Sequence, residues 1–195
     1  MKRLSKPAIF WILCLVPLTI LAQDSALKIP SEVNVFVGKE MTAIALESAD
    51  LNGDGTMDFI LVTEKTKAES DESADAEDVR SLLILTRGRA GKLTLAKRND
   101  KAVYCKTCGG VMGDPFASVD VTRNSFTVNN YGGSSWRWSE SYQFNYSGLD
   151  DTWQLVRVSS ETFNSLIPKK VKTKIRTPKN FGKIDINDFD PAVIR

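Results

Sequence analysis

The residues best placed to do chemistry fall in one short run, Asp50-Leu51-Asn52-Gly53-Asp54-Gly55-Thr56-Met57-Asp58. Counting Asp50 as position 1, side-chain oxygens recur at 1, 3, 5 and 9, and glycine stands at 6. That spacing winds hard oxygen donors around one point, position 7 adds a backbone carbonyl, and Gly55 permits the sharp turn. Three carboxylates held so close repel one another, and a divalent cation removes that cost. A plain hairpin turn would need one Asn-Gly or Asp-Gly pair, not this many acids. The expected site is structural calcium, with Asp50, Asn52, Asp54 and Asp58 ligating through side chains and Thr56 through its carbonyl. A metal-free Asx turn is the competing reading.

Histidine is absent from all 195 residues, which removes Ser-His, Cys-His and His-metal arrangements together. Of the three cysteines, Cys105 and Cys108 form a Cys-Lys-Thr-Cys pair. Zinc would need four ligands, and two thiolates without histidine leave a single-chain site short. A redox dithiol normally opens a helix whose dipole lowers the first thiol's pKa, but Gly109-Gly110-Val111-Met112-Gly113-Asp114-Pro115 follows and cannot start a stable helix. A disulfide that pins a turn is the favoured reading in an oxidising compartment, with thiol-disulfide exchange as an alternative. A carboxylate glycan hydrolase would have to draw its acid and base from Asp114 and Glu140, and nothing in the sequence sets their separation.

The cation loop departs from an EF-hand. Position 12 is Leu61 in place of the bidentate Glu, and Phe59-Ile60-Leu61-Val62 reads as a strand with no helix on either side. It resembles instead the calcium loop of FG-GAP and VCBS repeats, in which Asp-x-Asn-x-Asp-Gly-x-x-Asp lies between two strands. The likeness covers residues 41–64 and implies the same ligands: Asp50, Asn52, Asp54 and Asp58 by side chain, Thr56 by carbonyl. A propeller needs at least four blades, and this chain offers one clear loop, so the likeness extends to the loop alone. A wider likeness spans residues 29–158. Cys105-Lys106-Thr107-Cys108-Gly109-Gly110-Val111-Met112-Gly113-Asp114-Pro115-Phe116, with Tyr131-Gly132-Gly133-Ser134-Ser135-Trp136-Arg137-Trp138, resembles a group of uncharacterised secreted bacterial proteins. It implies export and carries no activity or catalytic residues with it.

The elements that must position these groups are strands. Candidates lie at 33–37, 41–47, 57–63, 81–87, 93–97, 118–122, 125–129, 135–146 and 152–158, rich in Val, Ile, Leu, Phe and Trp and split by turn residues. Trp136, Trp138, Tyr142, Phe144 and Tyr146 share one parity of the longest, which predicts a half-buried strand with an aromatic inner face. Ser147-Gly148-Leu149-Asp150-Asp151 then turns the chain so that Trp153 and Leu155 return to that face. The predicted fold is a single mainly β domain of antiparallel strands and hairpins over residues 27–160. It carries an acidic loop insertion, where residues 64–80 hold seven carboxylates, and an extended C-terminal arm over 161–195, where residues 169–183 hold seven cations.

Residues 1–22 read as a signal peptide: Lys2, Arg3 and Lys6 precede a 15-residue uncharged run that ends at Ala22. That run is short for a permanent membrane span, which needs about 20 apolar residues. Without it, 23 Lys and Arg face 24 Asp and Glu, a net charge of −1 that gives no nucleic-acid signature. The sequence thus points to an exported protein of the bacterial periplasm or extracellular space. The favoured role is a non-catalytic binding module with a protein or glycan ligand, and Tyr131, Trp136 and Trp138 form the candidate ligand surface. An envelope inhibitor or immunity protein is a further alternative.

Overall fold

A computed structural model describes residues 27–66, 79–167 and 169–194. The expected signal peptide and most of the acidic run lie outside these residues. The described chain is mainly β and builds two antiparallel sheets, each a meander of sequential strands. The first sheet joins β1 (Met41–Ala49), β2 (Asp58–Lys65), β3 (Arg80–Arg87) and β4 (Leu93–Asn99) in that order. The second joins β5 (Phe116–Thr122), β6 (Ser125–Gly133), β7 (Trp136–Ser147), β8 (Thr152–Asn164) and β9 (Lys172–Arg176). No helix among the described residues is long and apolar enough to cross a membrane.

The continuous apolar runs of β2 and β3 have a physical reason: their sheet is covered on both faces. Ile60, Val62, Leu82 and Ile84 point into a core shared with Val119, Phe126, Val128, Tyr142 and Phe144 of the second sheet. Leu61, Leu83 and Leu85 point the other way and bury Val33 from α1 (Ser31–Asn34). The expected strand at 33–37 is therefore a helical turn. Pro30 sets its entry, Val33 is its buried anchor, and Glu32 pairs with Arg87 at 2.7 Å. Ile29, Phe36 and Val37 pack around Val33 on the same patch, which a turn of this length can cover.

The hairpin of β7 and β8 forms as expected. Ser147 pairs with Thr152, Tyr146 with Trp153 and Phe144 with Leu155. Phe144 stacks on Phe126 with centroids 4.9 Å apart, and Tyr146 lies against Trp153 at 5.1 Å.

The C-terminal segment corrects the expectation of an extended arm. The strand β8 continues to Asn164, and β9 then adds to the sheet edge. A short helix, α2 (Pro178–Phe181), follows, closed by a reciprocal Thr177–Asn180 capping box. The chain then returns between the sheets. Ile186 N–H donates to the Trp153 carbonyl at 2.9 Å, and Asn99 Nδ2 donates to the carbonyls of Ile186 and Phe189 at 2.5 and 2.8 Å. Phe189 is fully buried, with its ring 5.0 Å from those of both Tyr142 and Phe144. Burying Ile186, Phe189 and Ile194 outweighs the solvation of the neighbouring charges, which is why the segment docks.

Candidate functional site

The two glycine-rich motifs, some 25 residues apart in sequence, meet in space. Cys105 and Cys108 are joined in a disulfide, as expected, and close the turn that leads into Gly109. The Gly109 carbonyl accepts from Gly133 N–H at 2.9 Å, and Gly109 N–H donates to the Gly113 carbonyl at 3.0 Å. A Cβ on Gly109 would stand 2.1 Å from the Gly113 oxygen, so the backbones approach only because no side chain is there. Gly132 does a different job. A Cβ on it would meet Trp138 Cζ2 at 2.6 Å and Cε2 at 2.9 Å, so the indole lies directly on the Gly132 backbone. The glycines thus form a floor on which the loop and the tryptophan rest.

Beside this floor the inner face of the second sheet changes character. Cross-strand register places Val128, Tyr142, Val158 and Arg176 in one lateral row, and Asn130, Glu140, Ser160 and Lys174 in the next. Gly132, Trp138, Thr162 and Lys172 form the third. The first row closes the apolar core except at its β9 end, where Arg176 stands, and the other two bring Asn130, Glu140, Ser160, Lys174, Thr162 and Lys172 around Trp138. Where they emerge, a cleft of about 560 Å³ opens, bounded by Tyr104, Trp138, Glu140 and Ser160, by Arg176, and by the C-terminal segment at 191–194. That volume falls within the roughly 300–1,000 Å³ of small-molecule sites.

Glu140 is the centre of this face. Its Oε2 accepts from the Tyr104 hydroxyl at 2.7 Å and the Tyr142 hydroxyl at 2.6 Å, and Oε1 accepts from Ser160 at 3.3 Å. Burial, and then the bonds to Glu140 and Tyr104, push the Tyr142 phenol far above its ordinary pKa, so it stays a neutral donor. The Tyr104 ring meets Trp138 edge-on at 5.9 Å. Arg176 donates through Nη1 to the Ile194 carbonyl at 2.8 Å, while its buried Nε has no partner.

The cation loop lies between β1 and β2, whose ends pair through Ala49 and Asp58. Gly53 and Gly55 both take positive φ, 78° and 87°. Asp50 accepts from Gly53 N–H at 2.8 Å through Oδ1 and from Gly55 N–H at 3.2 Å through Oδ2, and Arg123 Nε stands 3.3 Å from the same Oδ2. Asp54 accepts from Thr56 N–H at 2.8 Å and Thr56 Oγ1 at 2.6 Å, bonds that hold its carboxyl below the usual range. Asn52 Nδ2 donates to Asp54 at 3.1 Å.

Asp58 is fully buried and takes the backbone N–H groups of Leu51 and Arg87, each at 2.9 Å. Burial raises its pKa, the two N–H bonds oppose that, and the charges of Asp54 and Asp50 add to the rise. The loop is thus closed by its own N–H groups together with Arg87 N–H and Arg123, and among the described residues no three acidic, cysteine or histidine side chains gather as a metal centre would. It also has an architectural role absent from the sequence reading. Leu51 is buried in the shared core, its carbonyl accepts from Trp153 Nε1 at 2.9 Å, and the Asp50 carbonyl accepts from Asn124 N–H at 2.9 Å.

The other expected residues separate. Trp138 joins the cleft, whereas Trp136 is 61% exposed at the strand end. Tyr131 pairs with Ser139 and therefore faces away from Trp138, so the three rings do not form one surface. Asp114 is held by Arg80, whose Nη1 and Nη2 donate to its two oxygens at 2.7 and 2.6 Å, and it does not line the cleft with Glu140. The sequence reading missed Tyr104, Ser160, Lys174 and Arg176. The available signal was Glu140, a lone acid on the aromatic parity of β7. No family model matches the chain, and neither a curated protein nor a solved structure matches it.

Proposed function

We propose that the protein is a non-catalytic binding module that works outside the cytoplasm and holds a small ligand in the cleft beside Trp138. One observation carries this reading: an inner sheet face that is apolar elsewhere turns polar at Glu140, Ser160 and Lys174 where the cleft opens. A few polar groups converging beside an aromatic wall are the usual make-up of a ligand site. The glycine floor supports the reading too, since it fixes the indole before any ligand arrives. Export is supported by the basic-then-apolar pattern of residues 1–22 and by a disulfide that suits an oxidising compartment.

In the same reading the 50–58 loop is a calcium-stabilised hairpin of the FG-GAP and VCBS type. Its support is the ligand spacing and the gathering of Asp50, Asn52 and Asp54 around the Gly53–Gly55 turn. Calcium would take the places that Arg123, the Asn52 amide and the Thr56 hydroxyl hold around Asp50 and Asp54.

Backbone amide titration by NMR tests the cleft, using sets of small glycans, amino acids and short peptides. A ligand should move the amides of residues 138–140, 160–162 and 174–176 and leave β2 and β3 unmoved. Shifts that map elsewhere, or probes converted to products during the titration, would refute the proposal.

A further inference from the structure

Two side chains on the polar face are buried and each has an atom without a partner. Asn130 is 2% exposed, and its Oδ1 accepts no hydrogen bond. Arg176 is 9% exposed, and its Nε donates none. Buried polar atoms in folded proteins are nearly all paired; of the six unpaired ones among the described residues, these two lie on the inner face of the second sheet beside the cleft. Asn130 is the direct cross-strand neighbour of Glu140, and Arg176 lies one row away across β8 and β9.

The charges repeat the pattern. Glu140 is held by three hydroxyls, and no cation pairs with it among the described residues. Arg176 is held by one carbonyl, and no carboxylate pairs with it among the described residues. A buried charge without a counter-ion is costly, and Arg176 is one; Glu140, half-buried, lines the same cleft with the opposite sign. Beside Glu140 the rings of Tyr104 and Trp138 form an aromatic wall of the cleft. Toward the C-terminal segment, Pro191, Ala192 and Ile194 offer an apolar wall.

From this arrangement, and resting on the reading of the cleft as the ligand site, we infer that the ligand is a small zwitterion with an apolar side chain. Its ammonium sits at Glu140 among the rings, and its carboxylate at Arg176. Adjacent strands stand about 4.8 Å apart and residues rise about 3.4 Å along them, so two strands and one row put the Cα atoms of Glu140 and Arg176 on the order of 12 Å apart, with both residues lining the cleft. An amino acid or a dipeptide spans the remainder. A neutral sugar could stack on Trp138, but it would leave both charges unpaired, which a site built for charged groups rejects.

The test is calorimetric titration of the wild-type protein with leucine, Leu-Leu, leucinamide, N-acetylleucine and cellobiose. Leucine or Leu-Leu should bind, and which of the two binds tighter sets the ligand length. Leucinamide, without the carboxylate, and N-acetylleucine, without the ammonium, should each bind about tenfold more weakly or worse. In Glu140→Gln, an isosteric change, the preference for leucine over N-acetylleucine should disappear, and in Arg176→Gln so should its preference over leucinamide. Cellobiose binding at the cleft, or capped forms that bind as tightly as the zwitterion, would overturn the inference and leave the cleft a ligand site. Absence of binding by every probe would overturn both.

Discussion

Asp114→Ala should destabilise the protein by about 2 kcal/mol, through a side chain that touches no ligand. Arg80, on β3, is 2% exposed. Its two terminal nitrogens bind Asp114, Nη2 also binds Glu64 at 2.7 Å, and Nη1 donates to the Tyr104 carbonyl at 3.1 Å. The pair therefore ties the first sheet to the disulfide loop that leads into β5. Removing one partner of a fully buried pair costs about 3–5 kcal/mol, because the other charge stays buried and uncompensated. Here Asp114 is 38% exposed and Glu64 remains, so less than that upper range applies. The loss of the Phe116 N–H bond to Asp114, 3.0 Å, adds to the effect. Urea unfolding should show a midpoint lowered by about 1 M at unchanged slope, for a slope of about 2 kcal/mol/M. A cycle with Arg80→Met should return a coupling of about 1 kcal/mol or more.

The pH dependence gives a second readout. Burial raises the Asp114 pKa, but the bonds from Arg80 and Phe116 N–H and the Arg80 charge outweigh it, and the net shift is down from 3.8. A carboxyl with a depressed folded pKa contributes its stability above the unfolded value and loses it as pH falls through the folded one. Wild type should therefore hold this contribution above about pH 4 and lose it below, while Asp114→Ala lacks that part of the acid slope. A loss under about 0.5 kcal/mol at neutral pH, or equal acid slopes, would refute the reasoning.

Two further outcomes follow from other parts of the fold. Phe189→Ala should cost about 3–5 kcal/mol, since it removes a buried ring between Tyr142 and Phe144; an unchanged unfolding midpoint would mean the C-terminal segment is dispensable. Millimolar calcium should raise the melting temperature, by the equivalent of about 2.7 kcal/mol at 100 times the dissociation constant, and Asp54→Ala should abolish the rise while remaining folded. A wild-type melting curve that calcium does not move would leave the loop an ordinary Asx turn.

The sequence alone determined whatever depends on neighbours along the chain. Alternation in 136–146 set the inner face of β7, the turn at 147–151 set its hairpin, and the glycine-rich run after Cys108, which cannot open a helix, favoured a disulfide over a redox dithiol. Apolar runs at 59–62 and 82–85 gave the central strands, although not that α1 covers one side of them. Tertiary structure alone decided where the two glycine motifs meet, because a missing Cβ is visible in sequence but the backbone that fills its place is not. It also decided the fate of the C-terminal segment. Lys and Pro between residues 169 and 183 signal solvation locally, while Ile186 and Phe189 bury only because two sheets leave a gap of the right shape. The cleft belongs to the same class. Glu140, Ser160 and Lys174 come from three strands, and only the pairing register, set by long-range contacts, makes them one row.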